Sequence, residues 1–317
     1  MSKSTVSTLG FQRESRGERI RRRLVRSIPY YVLILLPLAY LILFRYEPIY
    51  GLQIAFRDFK ARKGIWGSPW VGLKYFKMFL TATSAWEVIW NTFLLSTYSL
   101  LAGFPIPIIL ALCLNEVKKS SLKKTIQMAT YVPFFISTVV LVSLINQFTD
   151  QNSGIINILI KSMTGSAVNF SGEIRYFRHL YVWSGVWQTT GYSAIIYIAA
   201  LSGVNPELYD AALVDGANKL QRICNIDLPC ILPTIVTLFV LNCGQMLSIG
   251  FEKVYLMQNN INLSQSEVIS TYVYKLGLQN GNFSMSTAVG MFNSLVNFVL
   301  LILCNVVSKK ITSIGVW

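Results

Sequence analysis

The sequence predicts an all-α integral membrane protein with six transmembrane helices. Of 317 residues, 53% are hydrophobic and 13% charged, with a mean hydropathy of +0.49, more apolar than an ordinary soluble chain. Six runs, 28–44, 92–114, 128–148, 181–204, 231–251 and 284–308, carry almost no charge and are close to the ~20 residues a helix needs to cross a ~30 Å hydrocarbon core. They are continuous rather than alternating polar and apolar. They therefore fit helices, whose backbone groups pair internally, and not the strands of a barrel.

Residues 1–27 form a basic tail with eight Lys and Arg, from Lys3 to Arg26. Its charged stretch is too long for a secretory signal and no small-residue cleavage pattern follows the first run, so that run is expected to be retained. Residues 45–91 interleave Tyr, Trp and Phe with seven Lys and Arg, the composition of an interfacial aromatic belt; a docking surface for an external partner is the alternative. Between the second and third runs, NEVKKSSLKK holds four lysines in ten residues. Segments 149–180 and 252–283 are rich in Asn, Ser, Gly and Gln and are expected as ordered external loops. The loop 205–230 and the tail 309–317 lie on the side of the N-terminal tail. That side carries sixteen basic residues against twelve opposite, and long loops such as 45–91 weigh little, so both termini are placed in the cytoplasm.

The net charge of +14 does not point to nucleic acid, because the excess clusters beside the apolar runs, where basic residues meet anionic lipid headgroups, and no recognition motif accompanies it. The five cysteines (Cys113, Cys224, Cys230, Cys243, Cys304) lack paired metal-ligand spacing and fall in spans or the inward loop, so neither a disulfide nor a metal site is expected. His179 stands alone, which favours a structural role. No Asp, Glu, Lys, Arg or His lies near the centre of any run, which argues against a proton relay and against an embedded enzyme.

The runs instead hold neutral polar groups: Trp183, Trp187, Gln188, Thr189, Thr190 and Tyr192 in the fourth, Asn242 and Gln245 in the fifth, Asn293 and Asn297 in the sixth. Amides and flat aromatic faces suit a hydroxyl-rich substrate such as a sugar. Taken singly, each is as readily a hydrogen-bonding contact between helices; the fourth run as a group favours a pathway.

Within the loop, Asn205, Pro206 and Glu207 read as an N-cap, a proline at the first helical position and an acid at the positive helix end. A helix over 206–215 should end at Gly216, and a second should begin near Asn218, with Leu220, Ile223 and Cys224 on one face. Pro229 and Pro233 mark the return to the membrane. Leu208, Ala211 and Ala212 share a small, flat face with Asp210 and Asp215 to its side, suited to seating in a groove of another protein; a cytoplasmic hairpin lying on the membrane is the alternative.

The run Asp210, Ala211, Ala212, three residues, Gly216, nine residues, Ile226, one residue, Leu228, Pro229 resembles the EAA loop of importer-type ABC permeases, departing only in Asp210 where Glu is usual. FRYEPIYGLQIAFRDFK, GIWGSPWVGLKYF and VPFFISTVV are similar to the carbohydrate permeases of polysaccharide or oligosaccharide uptake. The resemblance covers most of the chain. It implies a type I ABC importer fold over 28–308 in a bacterial cytoplasmic (inner) membrane, an oligosaccharide substrate, and a second, non-identical homologous permease. It further implies two cytosolic ATPase subunits and an extracytoplasmic solute-binding protein. Glu207, Asp210, Ala211, Ala212 and Gly216, with Leu228 and Pro229 closing the second helix, would couple to the ATPase. No G-x-x-x-x-G-K-[ST] loop occurs, so the chain is expected to be non-catalytic and to bind no cofactor, with ATP and Mg on the partner ATPase. A non-sugar solute is the alternative substrate.

Overall fold

The computed structural model describes residues 16–313 and Gly315, and these divide into two compact units between Gln53 and Ile54. In the first unit, helix α1 (Arg16–Leu41) continues into a π-helical turn, Ile42–Tyr46. The helix thus begins well before residue 28, inside the expected tail, of which residues 1–15 lie outside the described residues. Apolar side chains leave the backbone no solvent partner in lipid, so the helix persists through Pro29 and Pro37.

The second unit opens with an irregular segment and α2 (Lys74–Thr81), then α3 (Thr83–Gly103), α4 (Pro105–Asn115), α5 (Ser120–Tyr131), α6 (Thr138–Thr149), α7 (Ile155–Thr164) and α8 (Tyr176–Ser202). It continues with α9 (Pro206–Val214), α10 (Lys219–Arg222), α11 (Leu228–Gly244), α12 (Phe251–Met257), α13 (Ile269–Tyr274) and α14 (Phe283–Thr312). Two isolated bridges, Arg57 with Trp70 and Lys60 with Gly64, are the only sheet-like pairings among the described residues. Among the described residues, four helical stretches are long and apolar enough to cross a membrane, or five if the bent pair α5 and α6 is one span.

Four expectations are corrected. The third run, 128–148, is not one helix: α5 and α6 meet at 102° across Val132–Phe135 and residues 136–137. Pro133 removes a backbone donor there, Ser137 accepts from the Val140 N–H to cap α6, and Gln188 Nε2 donates to the freed Ile136 carbonyl at 2.8 Å. The fifth run stops at Gly244 rather than 251, because Asn297 accepts from the Leu247 N–H at 2.9 Å and donates to Ser248 Oγ at 3.0 Å, fixing the turn that follows. Leu228 and Pro229 do not close the second helix of the loop. α10 runs through a π-helical turn, Ile223–Asp227, straight into α11, and Pro229, near the start of the α-helical part, has no N–H to contribute there. The segments 149–180 and 252–283, read as loops, contain α7, α12 and α13.

α8 is the hub of the second unit, packing along α3, α4, α5 and α11. Glycine makes one of these contacts possible: a Cβ on Gly191 would stand 2.1 Å from the Thr130 carbonyl oxygen of α5. One apolar cluster joins α2, α3, α13 and α14 through Phe79, Val88, Ile269 and Val289. A second joins α4, α8 and α11 through Ala111, Tyr197, Leu201 and Ile231, and a third joins α3, α8 and α12 through Leu95, Val182 and Val254.

The aromatic segment before α2 folds on itself. The Arg57 guanidinium lies 5.6 and 5.5 Å from the ring centroids of Trp66 and Trp70, and the Ser284 hydroxyl donates to the Arg57 carbonyl at 2.7 Å, tying the segment to the start of α14.

Candidate functional site: a polar cavity and an exposed helical loop

Between the second and third clusters lies a cavity of about 480 Å³ walled by α3, α4, α8 and α11. Its wall mixes apolar residues with the hydroxyls of Ser96, Ser99, Thr189 and Ser193, the phenols of Tyr181, Tyr192 and Tyr197, and the amides of Asn242 and Gln245; no charged residue lines it. Helical spacing puts Ser96, Ser99 and Gly103 on one side of α3, and Tyr181, Thr189, Tyr192 and Ile196 on one side of α8. The Tyr192 ring stacks on Phe134 at 3.8 Å with 4° between planes, which presents a rigid aromatic face at the bend between α5 and α6. The wall offers donors, acceptors and flat apolar faces, the combination that grips a sugar.

Of the residues singled out from the sequence, the cavity gathers Tyr192, Asn242, Gln245 and Thr189. Trp183 and Trp187 do not line it; both are 52% exposed, and the Trp183 indole donates to the Tyr98 hydroxyl at 2.9 Å, which is also 2.8 Å from His179 Nδ1. Gln188 braces the α5–α6 bend, Thr190 donates to the Val186 carbonyl at 2.6 Å within its own helix, and Asn293 and Asn297 hold the turn after α11. Helix rotation separates these roles. Ser96, Ser99, Tyr181 and Ser193 were missed, though the Ser-x-x-Ser spacing before Gly103 is a visible signal of a small, polar helix face.

α8 leads directly into the loop. The Asn205 side chain accepts from the Glu207 N–H at 3.0 Å and caps α9, with Pro206 in its first turn. α9 ends in a Schellman turn: Gly216 N–H donates to the Leu213 carbonyl at 3.1 Å, Ala217 N–H to the Ala212 carbonyl at 2.9 Å, and Gly216 has φ +76°. Asn218 and Gln221 form a capping box on α10, with bonds of 2.9 and 2.8 Å.

The face expected of Leu208, Ala211 and Ala212 is split. Ala212 is half-buried on the side of Tyr209, whereas Leu208 and Ala211 are exposed with Asp210, Leu213 and Val214. Tyr209 decides this rotation, because its hydroxyl donates to Asp227, which is fully buried at the π-helical turn. Asn115 Nδ2 lies 3.4 Å from the same Asp227 oxygen, and Arg222 pairs with Glu116 at 3.1 Å. Burial, then the bond to Asp227, pushes the Tyr209 phenol up to about 12, so it stays a neutral donor. α9 and the start of α11 are thereby pinned to the end of α4. Val214 is left 88% exposed, Leu220 72% and Leu213 59%. Asn115, Glu116, Tyr209 and Asp227 were not found from the sequence; a lone acid before Leu-Pro was the only local trace.

The family described as binding-protein-dependent transport system inner membrane component matches residues 103–313. Protein LplB of Bacillus subtilis is 41% identical over 287 residues, 90% of each chain. The polygalacturonan/rhamnogalacturonan transport system permease protein YteP of the same organism is 41% identical over 312 residues, 98% of this chain and 97% of that one. Among solved structures, a chain of a bacterial ABC transporter involved in the import of the acidic polysaccharide alginate aligns with a TM-score of 0.85 at 36% identity, over 93% of this chain and 99% of that one. A chain of a bacterial alginate ABC transporter in complex with an alginate pentasaccharide-bound periplasmic protein aligns with the same TM-score of 0.85 at 36% identity, over 94% of this chain and 100% of that one.

Proposed function

The chain belongs to the binding-protein-dependent transport system inner membrane components and is a membrane permease of an ABC importer for oligosaccharides or polysaccharide fragments; on that premise we propose how its parts divide the work. α1, the continuous α3 and α4, the bent α5 and α6, α8, the continuous α10 and α11, and α14 are six spans, with both termini and α9 in the cytoplasm of a bacterium. The polar cavity is this chain's share of the sugar pathway, read by Tyr192, Asn242 and Gln245. The relatives favour a carbohydrate over a non-sugar solute.

α9 is the coupling helix. Glu207, Asp210, Ala211 and Gly216 lie on its exposed surface or at its end and meet an ATPase subunit, which carries ATP and Mg; Ala212, with Tyr209, faces the permease body, and Leu228 and Pro229 begin the span that receives the motion. The remaining partners are a second, homologous permease, the other ATPase subunit and an extracytoplasmic solute-binding protein such as the one in the alginate complex. The observation that carries this reading is that one helix, α8, walls the cavity along one face and runs through Asn205 into the exposed α9. Closure of the ATPase pair displaces α9, and the pinned Tyr209–Asp227 contact passes that displacement to α11, switching the cavity's access.

Gly216→Val places a β-branched residue in the left-handed region, a strain of roughly 1–2 kcal/mol confined to the turn, since a Cβ there meets no atom within 4 Å. Asp210→Arg reverses an exposed charge. In the complete transporter both variants are expected to reach the membrane at normal levels and to lose sugar uptake by about tenfold or more. Normal uptake at equal protein levels refutes the coupling role.

A further inference from the structure

The aromatic hairpin before α2 is fixed to the ends of two spans. It closes through the Val71 N–H, which donates to the Phe56 carbonyl at 2.8 Å, and the Asp58 N–H, which donates to the Pro69 carbonyl at 2.9 Å. The Ser284 hydroxyl that donates to the Arg57 carbonyl also accepts from the Phe59 N–H at 2.9 Å, and the Phe59 ring meets Phe283 edge to face at 5.9 Å. Phe283 and Ser284 open α14. Only Ala82 separates α2 from α3, whose opening turns expose Trp86 and Trp90. Exposed tryptophans at the end of a span mark headgroup depth, so the hairpin and α2 lie at the membrane surface.

Residues 54–82 carry six Lys and Arg against one acid, Asp58. Asp58 is engaged within the segment: the Tyr75 hydroxyl donates to it at 2.7 Å and holds its carboxyl below the usual carboxylate range. Arg57 is engaged as well, donating to the Ser68 carbonyl at 2.9 Å and bracing Trp66 and Trp70, whose rings stand 69% and 61% exposed. The other five, Lys60, Arg62, Lys63, Lys74 and Lys77, are exposed, and no ion pair among the described residues includes any of them. On α2, Tyr75 and Phe79 turn into the core, while Lys74 and Lys77 share the outer side with exposed Leu73, Met78 and Leu80. Lysines flanked in this way rest their stems against acyl chains and lift the ammonium to the headgroups. A bilayer answers both features at once, covering the apolar side chains and offering phosphates to the cations.

We propose that α2 and the hairpin before it form a binding site for anionic phospholipid in the external leaflet. Lys74 and Lys77, with the turn that carries Lys60 to Lys63, engage the headgroup phosphate, and Trp66 and Trp70 seat at the acyl boundary. The external placement rests on both termini being cytoplasmic. A zwitterionic lipid fits less well, because its own ammonium competes for the same phosphate. Since α2 abuts α3, which carries Ser96 and Ser99 into the cavity wall, the lipid site and the sugar pathway share a helix.

The test uses the complete transporter, with its partner permease, ATPase subunits and solute-binding protein. Purified in detergent, it is titrated with phosphatidylglycerol or with phosphatidylcholine, and bound lipid is read by native mass spectrometry. Variants are compared with wild type, because basic segments elsewhere in the assembly are common to all. Lys74→Gln with Lys77→Gln is expected to lower the affinity for phosphatidylglycerol about tenfold or more without lowering that for phosphatidylcholine, while Lys74→Arg with Lys77→Arg retains it. Both lysines are exposed, so an unchanged thermal midpoint is expected in either pair. The proposal falls if the glutamine pair binds phosphatidylglycerol as wild type does, or if affinity for both lipids falls together, which would mean a belt that seats in any bilayer. It falls equally if phosphatidylglycerol binding holds while capture of the solute-binding protein is lost, which would make this a protein-docking face. Lys63→Cys judges the leaflet separately: a membrane-impermeant maleimide is expected to label it in intact cells above the wild-type background. Labelling only after lysis would overturn the external placement, and with it the orientation proposed for the permease, while the lipid affinities decide the binding site on their own.

Discussion

Tyr209 and Asp227 show how one hydrogen bond orients a helix. The hydroxyl and the carboxylate meet at the π-helical turn, and one Asp227 oxygen, Oδ2, is buried with no hydrogen-bond partner. Tyr209→Phe keeps the ring but removes the donor, leaving the carboxylate only the weak Asn115 contact at 3.4 Å. A loss of about 1–3 kcal/mol is expected, because an unsatisfied buried acceptor carries the full desolvation penalty. Asp227→Asn should lose less, since an amide oxygen still accepts from Tyr209. A double-mutant cycle on thermal unfolding in detergent is expected to give a coupling energy of at least about 0.5 kcal/mol between the two positions. Strict additivity would mean that Tyr209 is held by packing alone. Neither partner was legible in the sequence as such: Tyr209 looked like one more residue of a capped helix, and Asp227 like a loop acid.

At the scale of elements, α8 does three jobs on separate faces, and Gly191 governs its fit against α5. The Gln188–Ile136 bond and the Tyr192–Phe134 stack lie on either side of that glycine, so the close approach at Thr130 sets both. Gly191→Ala would force two backbones apart, an overpacking penalty of about 1–3 kcal/mol that should lower the thermal midpoint and, by shifting Tyr192, reduce uptake. Gly244→Ala is the milder comparison: its Cβ would stand 2.5 Å from Leu301 Cδ1, the end of a flexible side chain that can turn away, and 3.2 Å from Leu301 Cβ, which has to give by only a few tenths of an ångström and involves no backbone atom. An equal effect at both positions would contradict the backbone argument. The bend between α5 and α6 was hidden in the sequence because VPFFISTVV carries no charge and is mostly apolar; Pro133 and Ser137 are the only local signals of a break. The caps on α9 and α10 were legible, because Asn205, Pro206, Gly216 and Asn218 act on their own neighbours in the chain.

For the whole molecule, an exposed apolar set on a pinned helix predicts assembly. Val214→Asp, at a residue 88% exposed in the single chain, should leave the permease folded yet reduce the ATPase recovered with it on affinity purification from membranes. Unchanged recovery would place the ATPase contact elsewhere. By itself the sequence determined a helical membrane protein, its polar interruption, and the capped, glycine-turned form of α9. Each of these follows from hydropathy or from interactions between residues a few positions apart, which the order of amino acids states directly. Tertiary structure alone decided that Tyr192, Asn242 and Gln245 face a cavity while Gln188 and Asn297 brace turns, since a rotation of 100° per residue assigns equally polar side chains to opposite faces. It also decided that Asp227 meets Tyr209 and Asn115, 18 and 112 residues away, and that Lys253 reaches Tyr181, 72 residues away. Contacts over such distances depend on how helices pack, and packing is a property of the pair that neither segment carries alone.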